Sequence, residues 1–253
     1  MIDSVLPVGE DTPIVNPVRH AGSPRPGKVA VMVSPRADLD RYRHRMPWLK
    51  KDFSRLYLSR LYLPDTTGPE ISVVGPMIGA PYAAMILETL VAWGCRQVVF
   101  FGWCGAIGRD VRIGDIIIAE NAVIDEGTSR HYLGDDIRSV GPAENLTRRL
   151  HQSFSTQKID FHQGSVWTTD AVYRETRGKV RHHQQAGVLG VEMELAALFS
   201  VGRYRSVEVA GVLVVSDELS RLTWQPGFKS AAFKTGRTAA IDGVLDCCLG
   251  LSR

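Results

Sequence analysis

Val207-Glu208-Val209-Ala210-Gly211-Val212-Leu213-Val214-Val215-Ser216-Asp217 is a near-continuous run of small and β-branched apolar residues that ends in a hydroxyl and a carboxylate. It lacks the apolar-polar alternation of a strand with one wet face, so Val207 to Val215 is expected to be a strand buried on both faces of a central sheet. Asp217 falls just past the end of that expected strand. Ligands of open α/β sheets gather at the carboxyl ends of strands, which makes an acid there a site candidate. The alternative is a cap, with Ser216 or Asp217 closing the start of a following turn.

Upstream, Val188, Leu189 and Val191 read as a short extended piece after Gly187, and Met193 to Phe199 read as the first turns of a helix. Glu192 and Glu194 therefore sit at an extended-to-helix junction, where first-turn amides lack partners and the helix dipole favours negative charge. Helix-start charge is enough to explain one of them. Both together, flanking Met193, point to a ligand. A carboxylate accepting from two adjacent hydroxyls suits a ribose, and the Met side chain suits the sugar's apolar face.

The rest of the chain alternates. Strand signals lie at Val29 to Val33, Ile71 to Val74, Val98 to Phe101, Ile116 to Ile124 and Phe161 to Val166. Helical signals lie in an arginine-rich stretch reaching Leu58, at Tyr82 to Trp93, near Ala143 to Phe154, from Arg174 to Gln185 and from about Lys229 to Leu249. Alternation of this kind is an α/β signature. Residues 1–27 are rich in Pro and Gly without periodicity and read as an extended arm that packs on a neighbour; residues 28–253 read as one domain. His182 and His183 fall on a polar helix and are expected in solvent. Asp125 to Ser129 reads as a structural turn. Trp224 to Phe228 reads as either an exposed loop or a lid.

Composition excludes several classes. Thirty basic against 27 acidic residues leave a net charge of +3, and no Lys/Arg block interleaved with aromatics occurs, so no nucleic-acid partner is expected. No run approaches about 18 apolar residues, and the first residues, with Asp3, Glu10 and Asp11, do not resemble a secretory signal, so no membrane partner is expected. Cys95, Cys104, Cys247 and Cys248 lack zinc-site spacing and are expected reduced and buried, hence a cytoplasmic protein without a metal. The glycines from Gly102 to Gly108 do not have the spacing of a dinucleotide or P-loop fingerprint.

Several motifs in order resemble one family. They are Gly75-Pro76-Met77-Ile78-Gly79, Gly102-Trp103-Cys104-Gly105-Ala106-Ile107-Gly108 with Ile113-Gly114-Asp115, then Val191-Glu192-Met193-Glu194 and Val214-Val215-Ser216-Asp217. Together they are similar to the nucleoside phosphorylases and nucleosidases, the group of purine nucleoside phosphorylase, uridine phosphorylase and methylthioadenosine nucleosidase, over roughly Lys28 to the C-terminus. The resemblance implies a three-layer α/β/α sandwich with a mixed, partly closed central sheet, and cleavage of the bond between a nucleobase and C1′ of ribose. It implies that Met193 and Glu194 hold the ribose, that Glu192 lines the same pocket, and that Asp217 is the acid assisting the departing base at N7. The Ser216-Asp217 pair resembles the purine-acting branch. For the base it implies the segment Thr168 to Tyr173, with Val172 where an aromatic is usual, and Tyr173 or Trp103 as substitutes.

Phosphate would be the co-substrate, with no cofactor, and a homo-oligomer the assembly. Its candidate residues are Ser34, Arg36 and Gly102. Here the chain departs from the family: Phe100 stands where an Arg is expected and Trp103 where a Thr or Ser is expected. Arg36, Arg45, Arg55 or Arg60 would have to take over the anion, since a phosphate deprived of charge partners is costly to bury. Without such a replacement the alternatives are a hydrolytic nucleosidase and a non-catalytic nucleoside-binding protein.

Overall fold

The computed structural model describes residues 12–66 and 68–252. Its strands are β1 (Val29–Val33), β2 (Ser54–Leu56), β3 (Ser59–Tyr62), β4 (Ile71–Gly75), β5 (Gln97–Ala106), β6 (Ile116–Asp125), β7 (Ser139–Val140), β8 (His162–Thr169), β9 (Gly190–Glu192), β10 (Glu208–Glu218) and β11 (Gln225–Pro226). Its helices are α1 (Arg36–Arg45), α2 (Ala80–Ala92), α3 (Arg130–Leu133), α4 (Glu144–Thr156), α5 (Arg177–Gln185), α6 (Leu195–Arg205) and α7 (Ala231–Leu251).

All the strands belong to one mixed sheet. The parallel strands β4, β1, β5 and β10 form its centre, and β6 runs antiparallel to β10. Pairing of β6 with β8, β8 with β9, and β9 with β5 brings the sheet back on itself. The continuous apolar runs follow from burial on both faces. In β5 and β10, Val98, Phe100, Leu213 and Val215 enter one core with α2 and α6, while Val99, Phe101, Val212 and Val214 enter the other with α1, α4 and α7. These are the three layers expected. Gly211 lets α6 approach, because a Cβ there would collide with the Leu195 side chain.

The structure corrects several local expectations. The arginine-rich helix stops at Arg45 rather than reaching Leu58, because Pro47 disfavours helical geometry at Met46 (φ −115°, ψ 80°). The residues beyond it form the β2–β3 hairpin, which turns at Tyr57 with φ +54°. β10 runs through Glu218, so Asp217 lies inside the strand, not beyond it, and the capping alternative does not apply. His183 is buried and stacked on Trp167, with ring centroids 4.3 Å apart, so only His182 of that pair is exposed.

Of the N-terminal arm, residues 1–11 lie outside the described part. Residues 12–27 contain no helix or strand and leave Ile14 and Val15 exposed. All four cysteines are free and buried. Among the described residues, no helix is long and apolar enough to cross a membrane.

One buried ion pair joins α1 to α7. Asp38, fully buried, accepts from Arg237 Nε at 2.9 Å and Nη2 at 2.6 Å, and from the Trp103 indole at 2.7 Å. The Arg237 guanidinium also lies over the Trp103 ring, 4.9 Å from its centroid. Removing one partner strands the other charge in a dry site, whereas an apolar replacement of both does not. Arg237→Ala is therefore expected to cost about 3–5 kcal/mol in denaturant unfolding. The Asp38→Leu/Arg237→Met double variant is expected to cost less than that single change.

Candidate active site

The site begins where the edge of β5 changes partner. β1 pairs with β5 only as far as Phe101, and β9 takes up the same edge at Gly105, so the two leave a gap opposite Trp103 and Cys104. A cavity of about 1220 Å³ opens there, at the carboxyl ends of β1, β5 and β10. On its other side β10 carries a bulge between Val215 and Asp217. Successive strand residues normally face opposite ways; the bulge lets Ser216 and Asp217 both line the cavity.

The two glutamates divide their work. One Glu192 oxygen accepts from the backbone amides of Glu194 and Leu195 at 2.7 and 2.8 Å, and the other accepts from the Thr168 hydroxyl. Glu192 thus satisfies the amides opening α6 and ties them to β8 and β9. Glu194 accepts from the Gly79 amide, which donates to its Oε1 at 2.6 Å. Gly79 has φ 83° and ψ 151°, a region reserved in practice for glycine, and this explains the glycine of the Pro-Met-Ile-Gly block.

Burial raises both carboxyls, and the Glu192 charge raises Glu194 further, to about 8. Three donors offset part of the rise at Glu192, so of the two Glu194 holds its proton more tightly. Asp217 is also raised by burial, opposed by its bonds from the Ser216 hydroxyl at 2.6 Å and the Trp224 indole at 2.8 Å.

Met193, Trp103, Ser34, Val172 and Tyr173 line this cavity together with those acids. Tyr173 is 98% exposed, so it stands at the mouth; Trp103 is held in the wall by Asp38 and by an edge-on contact with Phe233. Arg36 and Gly102 are not in the lining. Arg36 is spent on Asp40 one helical turn away, at 3.2 Å, and a Cβ at Gly102 would meet Phe100 and Leu213 inside the core. Nor do the other proposed arginines reach the cavity. Arg45 pairs with Asp242, Arg60 lies over the Phe53 ring, and Arg55 is exposed. No Lys, Arg or His occurs among the described lining residues. Among the described residues, no cluster of His, Cys, Asp or Glu is arranged to hold a metal.

Sequence reasoning missed Glu175. It lies just before α5, lines the cavity, and is raised to about 7 by burial and then by the Asp217 charge. A lone Glu at the start of a polar helix carries no signal of this, since only the fold brings it to Asp217. Trp224 and Phe228, flagged as a lid or loop, do line the cavity.

Residues 29–241 match the model of the phosphorylase superfamily, so the chain belongs to that family. It is similar to DeoD-type purine nucleoside phosphorylases. With that of Clostridium novyi it shares 27% identity over 62% of this chain and 68% of the relative. With that of Bacillus cytotoxicus it shares 33% over 60% of this chain and 65% of the relative, so these matches span about two thirds of the relatives' length. The fold resembles uridine phosphorylase from Vibrio fischeri, with TM-score 0.77, 24% identity and coverage of 91% of this chain and 99% of that one. It also resembles purine nucleoside phosphorylase from Toxoplasma gondii in complex with immucillin-H, with TM-score 0.81, 17% identity and coverage of 90% and 93%.

Glu194 binds its proton more tightly folded than unfolded. Its contribution to stability is therefore complete below its ordinary value of 4.5 and lost as pH rises through about 8. Across that window Glu194→Gln is expected to flatten the fall in unfolding free energy of the ligand-free protein, measured in denaturant at a series of pH values. An unchanged slope would show that the carboxyl is not buried.

Proposed function

We propose that the protein is a nucleoside phosphorylase, a pentosyltransferase that cleaves the N-glycosidic bond of a purine-type nucleoside with inorganic phosphate as nucleophile and without a cofactor. The observation carrying this reading is that Glu194 and Asp217, from separate elements, line one cavity large enough for a sugar with its base. Similarity to purine nucleoside phosphorylases supports the purine preference.

Glu194, with Met193 packed on the sugar, binds the ribose hydroxyls, and Glu192 orients that carboxyl through the start of α6. Val172, Tyr173, Trp103 and Ser216 line the side that receives the base. Phosphate oxygen attacks C1′, the C1′–N bond breaks, and its electron pair leaves with the base. Asp217 donates a proton to the base as charge builds on it, a contribution of about 10²- to 10⁴-fold. The products are a pentose 1-phosphate and the free base. Burial that raises Asp217 favours the protonated form this step requires.

Ser34 offers the phosphate a hydroxyl, but the described lining offers no cation, and an anion beside four carboxylates needs one. A second copy of the chain is therefore assigned the missing charge, which makes the enzyme a homo-oligomer. The arm through Gly27 is a candidate contact ahead of the single domain. Four unpaired cysteines fit a cytoplasmic enzyme.

Base release from a purine nucleoside is expected to need phosphate and to yield one pentose 1-phosphate per base. Equal release in phosphate-free buffer would turn the reading to hydrolysis. Asp217→Asn is expected to lower kcat by about 10²-fold or more. Two ribose hydroxyls donating to Glu194 would favour its ionised form, so nucleoside binding near neutral pH is expected to release a proton. Calorimetry in buffers of different ionisation enthalpy measures this, and Glu194→Gln should abolish it.

A further inference from the structure

A second cavity, of about 750 Å³, lies on the other side of the turn that follows β10. Arg109 and Arg112 enter it from the β5–β6 connection, Arg181 from α5 and Arg221 from the turn itself. No carboxylate lines it. Among the described residues, Arg109, Arg181 and Arg221 make no ion pair, and neither does the neighbouring exposed Asp110. The Arg112 guanidinium donates to the carbonyls of Arg109 and Val111.

The convergence is held in place. Gln184, on α5, donates from its side-chain amide to Ile107 O at 2.9 Å and to Ser220 O at 2.7 Å, clamping two of the segments that carry the arginines. The turn closes with Leu222 N donating to Leu219 O at 2.8 Å, and Leu222 sits at φ +60°, a conformation an apolar residue rarely adopts. Four like charges gathered around one hollow repel one another unless an anion joins them. Planar guanidinium groups bind phosphate oxygens bidentately.

We propose that this cavity binds a small polyphosphate anion, either inorganic triphosphate or the phosphate chain of a nucleoside triphosphate, at a site separate from the nucleoside cavity. A hollow of this size is in the range of small-molecule sites, about 300–1,000 Å³. A concave site assembled from three segments fits a compact anion better than the extended basic stripe a nucleic acid needs.

The test is a calorimetric titration of the whole chain with inorganic triphosphate at about 0.15 M salt, repeated with a nucleoside triphosphate and with a single-stranded oligonucleotide. Saturable triphosphate binding at one site per chain is expected. The exposed double substitution Arg109→Ala/Arg181→Ala is expected to weaken it by about tenfold or more, with the unfolding midpoint and the turnover of nucleoside unchanged. Equal affinity for the two triphosphates assigns recognition to the phosphate chain alone; tighter binding of the nucleotide adds a contact from the base, and either supports the site. Absent binding, binding the double variant retains in full, or oligonucleotide binding through these arginines without triphosphate binding overturns it.

Discussion

The shared edge of β5 is the constraint on which the site rests. Backbone groups in a sheet interior must be paired, and β5 meets that demand with two successive partners, β1 up to Phe101 and β9 from Gly105. The partners run in opposite directions, so their carboxyl ends face each other across residues 102–104 and leave a hollow between them. Both the Ser34 turn after β1 and the Glu192–Glu194 junction after β9 open onto that hollow. The bulge in β10 then turns two consecutive residues into it from the remaining side.

Electrostatics in the hollow follow from its construction. Glu175, Glu192, Glu194 and Asp217 share one cavity without a basic residue among the described lining. Burial disfavours each charge, and neighbouring carboxylates disfavour those of Glu175, Glu192 and Glu194 further, so all four are displaced toward the protonated form. Glu192 is raised less than Glu194, because amides and a hydroxyl surround it. The same arrangement repels an anion, and this sets the phosphate half of the reaction apart from the sugar half.

Trp103 shows how that separation is built. Its ring occupies the wall of the cavity, its indole nitrogen is committed to Asp38, and Asp38 in turn holds the guanidinium of Arg237. The arginine packed on this wall is neutralised from behind. Charge has instead been concentrated on the far side of the Leu219–Leu222 turn, where four guanidinium groups have no carboxylate among them.

Periodicity and composition were enough for the α/β class, the buried strands and the acids of the two decisive blocks, because a strand covered on both faces must be apolar throughout and a carboxylate at its end then stands out. Position along the chain could not reveal which glutamate caps α6 and which faces the hollow, since that depends on where Thr168 and Gly79 arrive. Nor could it show that Arg36, one turn from Asp40, is spent at the surface, or that Pro47 ends the first helix in favour of a hairpin. Glu175 and the four arginines of the second cavity were invisible for the same reason. Each is an ordinary surface residue by sequence, and only tertiary contact between distant segments gives it neighbours that change its chemistry.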